Sequence, residues 1–259
     1  MSNPTEIIFG FFFGLLIGSF LNVCICRLPL NASIVTPPSS CPSCGKPIRF
    51  YDNIPVLSYI WLLGKCRGCA IPISARYPLV EILTGTFAAL CVFRFGFTPT
   101  AAIYFAFIAS LVVITFIDID HRIIPDIISL PGIPIFFAAT FFLPGISPVA
   151  SITGILVGGG SLFLVAWGYY MVTGNEGMGG GDIKLLAMIG AIIGWQGVVL
   201  TIFAASITGT VIGLTLMLAS GKNMKLAVPF GPFLALGAVI YIFYGTELIH
   251  WYLYGIRPF

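Results

Sequence analysis

The chain has 259 residues, of which 58% are hydrophobic and only 8% charged, and its net charge is +3. Its mean hydropathy is +1.06, and a soluble domain would carry roughly 25% charged residues, so a soluble enzyme is excluded. The composition is that of an integral membrane protein with room for about eight spans of roughly 20 residues and one modest extramembrane insert. So small a net charge makes no case for a nucleic-acid partner, and membrane lipid is the expected surrounding.

The first span is predicted over Ile7 to Cys26. No basic residue precedes it, and Arg27 follows it at once. A cleaved secretory signal has the reverse arrangement, so the segment reads as a retained anchor with its N-terminus outside. A polar, proline-rich insert follows, from Leu28 to Pro78, and its Lys46, Arg49, Asp52, Lys65, Arg67 and Arg76 keep it out of lipid. Further apolar segments run Leu79–Phe97, Thr100–Ile117, Ile127–Leu143, Val149–Val172, Ile183–Trp195, Val198–Ala219 and Phe230–Ile249, with Ile183–Trp195 short for a span. Thr98-Pro99-Thr100 and Pro144-Gly145 carry turn chemistry and mark outer loops. Small residues such as Gly154, Gly158, Gly159, Gly160, Gly209 and Gly213 suit close helix packing. No internal repeat is apparent.

Ten of the twelve basic residues fall between Arg27 and Arg76, at Arg122, at Lys184, and at Lys222 with Lys225. The positive-inside rule assigns those segments to the cytoplasm and puts both chain ends outside. The expected fold is therefore an all-α polytopic membrane protein of about eight transmembrane helices. Its expected divisions are a first helix over 1–27, a cytoplasmic insert over 28–78 and a membrane core over 79–259.

Within the insert, Cys41-Pro42-Ser43-Cys44 and Cys66-Arg67-Gly68-Cys69 are two Cys-x-x-Cys knuckles separated by 21 residues. Two such knuckles complete a tetrahedral thiolate site at a spacing that fits structural zinc, with Gly45 and Gly68 easing the turns. An insert this small has little core of its own, so a metal would supply much of its folding free energy. The alternative is a cycling disulfide, which a reducing cytoplasm disfavours. Cys24, Cys26 and Cys91 sit in apolar stretches and read as packing residues.

Only 9 acidic residues occur in the chain, and Asp118, Asp120, Asp126 and Asp182 stand at the cytoplasmic ends of spans; two are singled out, Asp118 in Ile117-Asp118-Ile119-Asp120-His121 and Asp182 closing Gly177-Met178-Gly179-Gly180-Gly181. Ionisable groups at membrane depth are expensive and mark functional sites. Two intervening spans return the chain to the same membrane face, so the two can meet. A close carboxyl pair shares a proton, and can activate water with one member and polarise a carbonyl with the other. The glycines leave room for a substrate backbone and permit positive φ. The bland alternative is that Asp182 caps the next helix. Asp126, after Pro125, suits a first helical turn, and Asp120 suits solvent or a pairing with His121 or Arg122. Glu176 and Lys184 flank the glycine loop, where either tunes the site or is solvated.

Taken together, Gly18-Ser19-Phe20-Leu21-Asn22-Val23 with Arg27-Leu28-Pro29, the two knuckles, and Asn53-Ile54-Pro55-Val56-Leu57-Ser58-Tyr59 form one set of motifs. Arg76-Tyr77-Pro78-Leu79-Val80-Glu81, the two aspartate segments and Pro229-Phe230-Gly231-Pro232 continue it in order. Along nearly its whole length the chain resembles the bacterial type IV prepilin peptidases, which are also N-methyltransferases. The resemblance implies an aspartic protease of the bacterial inner membrane with its site facing the cytoplasm and Asp118 and Asp182 as the catalytic pair. Its partners would be type IV prepilins and pseudopilins, cut after the glycine of a basic leader. It also implies methylation of the new N-terminus with S-adenosylmethionine, beside structural Zn2+ on Cys41, Cys44, Cys66 and Cys69. Asp52, Glu81 and Glu176 are candidates for contacting the leader. Two other classes fit intramembrane acids: an ion- or proton-coupled transporter, and a zinc-bearing scaffold of secretion machinery without catalysis.

Overall fold

The computed structural model describes residues 3–175, 177–220 and 228–255. Glu176, Lys222 and Lys225, named above, lie outside the described residues. The order of helices is α1 (Pro4–Arg27), α2 (Leu57–Trp61), α3 (Arg76–Phe95), α4 (Pro99–His121), α5 (Asp126–Ala139), α6 (Pro148–Thr173), α7 (Gly180–Ser220) and α8 (Gly231–Tyr254). Among the described residues there is no strand, only two isolated bridges in the insert.

Six of these helices are long and apolar enough to cross a membrane: α1, α3, α4, α6, α7 and α8. The count of eight is recovered from two further facts. An apolar helical stretch over Asp126–Phe142 is shorter than the rest. And α7, at 41 residues, is broken at Gly194, whose φ of 71° and ψ of 178° leave the helical region. Each of the eight predicted segments thus has its helical counterpart, and the division between the sixth and seventh of them sits at a glycine because only glycine adopts that backbone cheaply.

Helix ends follow local chemistry. Asn3 caps α1 by accepting the N–H of Thr5 at 3.2 Å, with Pro4 in the first turn. Ser147 caps α6 through the N–H of Ala150 at 3.1 Å, and Gly174 in the left-handed region ends it. Both are standard solutions for a helix start and stop.

Two compact units divide the chain, residues 1–113 and 114–259. In the first, α1 packs along α3 through Gly10, Gly14 and Gly18. A Cβ on Gly14 would stand 2.6 Å from the Ala88 Cβ, and one on Gly18 would stand 2.7 Å from the Glu81 Cα. In lipid no hydrophobic effect drives helices together, so such small-residue stripes supply the contact instead. In the second unit, Gly154 of α6 and Gly190 of α7 meet so closely that a Cβ on either would strike the other's carbonyl. The part of α7 before Gly194 is the core of that unit, with Leu185, Leu186, Met188, Ile189 and Ile192 fully buried. A helix apolar all round is one that can be buried all round.

Candidate functional site

Asp118 lies in the last turn of α4 and is buried, at 5% exposure. A buried carboxylate needs a partner, and this one accepts the backbone N–H of Gly231 through Oδ2 at 2.9 Å. Gly231 opens α8, where a backbone N–H has no partner within its own helix and is available to an anion. Asp182 lies in the first turn of α7, half-buried. Helix α7 already begins at Gly180, so Asp182 is inside it rather than its cap. Among the described residues no hydrogen bond holds the Asp182 carboxylate.

Ile124 lies against the surroundings of both acids. A Cβ on Gly181, next to Asp182, would stand 2.9 Å from the Ile124 Cβ, and one on Gly231 would stand 3.5 Å from its Cδ1. The side chain that follows α4 thus seats against the starts of both α7 and α8. The glycine loop departs from expectation: its glycines do not take positive φ, which falls at Gly174 instead. Among the described residues, Gly179 and Gly180 have nothing within 4 Å of a Cβ position. The other acids separate. Asp126 binds the Lys184 ammonium with both oxygens at 2.8 Å, tying α5 to α7, and Asp120 is exposed.

The insert brings Cys41, Cys44, Cys66 and Cys69 together, with all four sulfurs within 4.8 Å of one another. The Cys41 and Cys69 sulfurs are 3.8 Å apart. Four sulfurs at about 2.3 Å from a tetrahedral zinc would be about 3.8 Å apart, so the donor set fits that ion in type, number and spacing. Backbone N–H groups of Cys44 and Ser43 lower the Cys41 thiol to about 6. Cys69 is pushed up to about 11: the N–H of Ile71 favours its thiolate, but desolvation and the bonds with Cys66, Cys41 and Cys44 prevail. The cluster therefore holds a thiolate at neutral pH, the form a metal needs.

The knuckles are also a repeat, contrary to expectation. In the first, Cys41 N–H donates to Lys46 O at 3.0 Å, Gly45 N–H to Cys41 O at 2.9 Å and Ile48 N–H to Ser39 O at 2.8 Å. In the second, Cys66 N–H donates to Ile71 O at 2.9 Å, Ala70 N–H to Cys66 O at 2.9 Å and Ile73 N–H to Gly64 O at 2.7 Å. The shared pattern, Cys-x-x-Cys-small-x-Pro-Ile, covers only eight residues and hid among changed neighbours. The left-handed position is Gly45 in one copy and Ala70 in the other, so Gly68 is not the turn residue expected of it.

Of the acids considered for leader contact, Asp52 is instead gripped by Arg67, with Nε–Oδ2 at 2.8 Å and Nη2–Oδ1 at 2.6 Å. Glu81 is buried and accepts the Val56 N–H at 2.8 Å. Sequence reasoning gave Gly231 no part at the acid pair; the only signal was its place in Pro-Phe-Gly-Pro at a helix start.

The fold and site define a polytopic helical membrane protein with a half-sequestered acid pair at helix ends and a four-thiol insert. The sequence profile of the Bacterial Peptidase A24 N-terminal domain matches residues 12–95, and that of the Type IV leader peptidase family matches residues 105–214. Proteins named prepilin leader peptidase/N-methyltransferase align over most of both chains. The one from Aeromonas hydrophila is 37% identical, covering 94% of this chain and 92% of its own. That from Pseudomonas aeruginosa is 37% identical over 93% and 91%, and that from Dichelobacter nodosus 35% over 96% and 95%. No solved structure matches. The chain belongs to the type IV leader peptidase family. Neither the transporter nor the scaffold alternative is favoured by these relatives.

Proposed function

We propose that the protein cleaves the leader from type IV prepilins and pseudopilins by hydrolysis at Asp118 and Asp182, and methylates the new N-terminal amine. The observation that supports the peptidase site is that Ile124 seats against the helix starts at Gly181, beside Asp182, and at Gly231, whose N–H holds Asp118. Oδ2 of Asp118 is anchored by the Gly231 N–H, and Oδ1 carries no such bond to that donor. One carboxyl takes a proton from water as the water attacks the scissile carbonyl; the other gives a proton to the carbonyl oxygen. The open backbone at Gly179 and Gly180 receives the extended stretch around the leader glycine.

The four thiolates hold a structural zinc that completes the insert and leaves no coordination position open for chemistry. S-adenosylmethionine supplies an electrophilic methyl group for the second activity. The apolar helices and the family suit the bacterial inner membrane, and the positive-inside pattern supports both chain ends outside and the two acids at the cytoplasmic face.

The direct test is cleavage of a purified prepilin by detergent-solubilised wild type beside Asp118→Asn and Asp182→Asn. Wild type cuts after the leader glycine, and each variant loses roughly 100- to 10,000-fold in rate, the range of acid–base assistance. Near-complete survival in either variant would remove that residue from the pair.

A further inference from the structure

The insert carries charge on both sides of residues 53–64 but none within them: Arg49 and Asp52 precede the stretch, and Lys65 and Arg67 follow it. An apolar stretch of about 10–14 residues is either a buried core segment or an interfacial one, and the structure separates the two. No residue of α2 is buried. Leu57 and Ile60 are each 62% exposed, Trp61 82% and Leu63 83%. Leu57, Ile60 and Trp61 stand three and four residues apart and share one face of the helix. Ser58 faces the insert instead, where its hydroxyl donates to Tyr51 O at 3.0 Å and accepts the Ile54 N–H at 3.1 Å. An outward apolar face of this kind marks a contact surface.

The backbone on either side of α2 holds that face in a set orientation. Val56 before it and Leu63 after it stand at φ of 60° and 51°, a conformation that residues other than glycine keep only where their surroundings impose it. At Val56 the constraint is its N–H, which donates to the Glu81 carboxylate at 2.8 Å. Glu81 lies five residues inside the start of α3, about 7 Å along the axis. Its Cα lies against Gly18 of α1, where a Cβ would stand 2.7 Å away, and Gly18 is nine residues, about 13 Å, inside the end of α1. The start of α2 is thus tied to the flank of two spanning helices, level with their turns nearest the insert. At that depth lie the lipid headgroups. Backbone outside a helix is tolerated there and not in the hydrocarbon, and Trp is a preferred side chain there.

We propose that α2 and Leu63 form a lipid anchor: Leu57, Ile60, Trp61 and Leu63 enter the headgroup–acyl boundary and pin the four-thiol insert to the membrane surface. The partner is the bilayer itself. Arg49 and Lys65, at the two ends of the uncharged stretch, are exposed and suit anionic headgroups. The same two charges would repel the basic leader of a prepilin, the other candidate occupant of the face.

The test uses the full-length protein in nanodiscs of phosphatidylethanolamine and phosphatidylglycerol. Subtracting the emission of Trp61→Phe from that of wild type isolates Trp61 from Trp167, Trp195 and Trp251. Lipid brominated high on its acyl chains is expected to quench that difference by more than about half, since an interfacial helix buries its apolar face about 5–10 Å deep. Aqueous acrylamide is expected to quench it little. Quenching by acrylamide and not by brominated lipid would put α2 in water and overturn the anchor. Protection that arises only on adding prepilin would overturn it too, because the face would then belong to the substrate. A second measurement needs no variant. In wild-type nanodiscs, a lipid with a photoactivatable diazirine near its headgroup should label the tryptic peptide 50–65 as well as the spanning helices. Label on the helices with none on that peptide would overturn the proposal.

Discussion

The backbone N–H of Gly231 donates to Oδ2 of Asp118 across 2.9 Å, joining the first turn of α8 to the last turn of α4. A buried carboxylate is thereby held by a group that cannot rotate away, and a side chain at the donor has no room. A Cβ at Gly231 would stand 2.6 Å from that same oxygen.

Gly231→Ala is therefore expected to displace Asp118. A misplacement of about 1 Å at a reacting group costs on the order of 100-fold in rate. Cleavage kinetics should show that loss in kcat with KM within a few fold of wild type. A wild-type kcat would show the bond to be dispensable.

Removal of the metal acts on the insert. Chelation, or Cys41→Ser, takes away one bond set that the small insert has no core to replace. Limited proteolysis should then cut between residues 28 and 78, and methylation should fall further than cleavage. Equal loss of both activities would show that the insert supports the acid pair as much as the methyl-transfer site.

Ala70 stands at φ 58° where the first knuckle has Gly45 at 66°. A left-handed alanine costs roughly 1–2 kcal/mol, and a glycine there gives back about 0.5–1 kcal/mol in unfolded-chain entropy. Ala70→Gly is expected to strengthen zinc retention by a few fold, read by competition with a chromogenic chelator. Weaker retention would show that the alanine methyl packs in a way that outweighs its strain.

The Arg67 guanidinium, hydrogen-bonded to Asp52, holds that carboxyl below the usual carboxylate range. A depressed folded-state value means that the pair's contribution is present above the unfolded value of about 4 and is lost only as pH falls through the lower folded one. Both groups stay ionised from pH 8 to 5. The difference in zinc retention between wild type and Asp52→Asn should therefore stay constant across that window, even as acid weakens retention in both by protonating thiolates. A difference that shrinks on the way to pH 5 would place the Asp52 value higher.

The helix content and the spans were legible because a lipid-exposed backbone leaves one local solution, the helix, and apolar runs of sufficient length announce it. The break at Gly194 could be placed within a few residues, since an apolar run of 41 residues exceeds a bilayer's thickness and a Gly-Trp-Gln-Gly stretch interrupts it. The knuckle repeat was not legible. It consists of backbone hydrogen bonds, which ask only for a small residue at the left-handed position and a proline beyond it.

By itself the sequence determined the membrane class and the four thiols and singled out Asp118 and Asp182, because scarce residue types in an apolar chain are informative by their presence alone. Tertiary structure decided what those residues meet. Only the folded chain carries Ile124 onto Gly181 and Gly231, brings the Gly231 N–H to Asp118, and turns Val56 toward Glu81. Backbone donors and the absence of a Cβ are the same at every glycine in a sequence. Which of them serves a carboxylate is fixed by where distant helix ends converge.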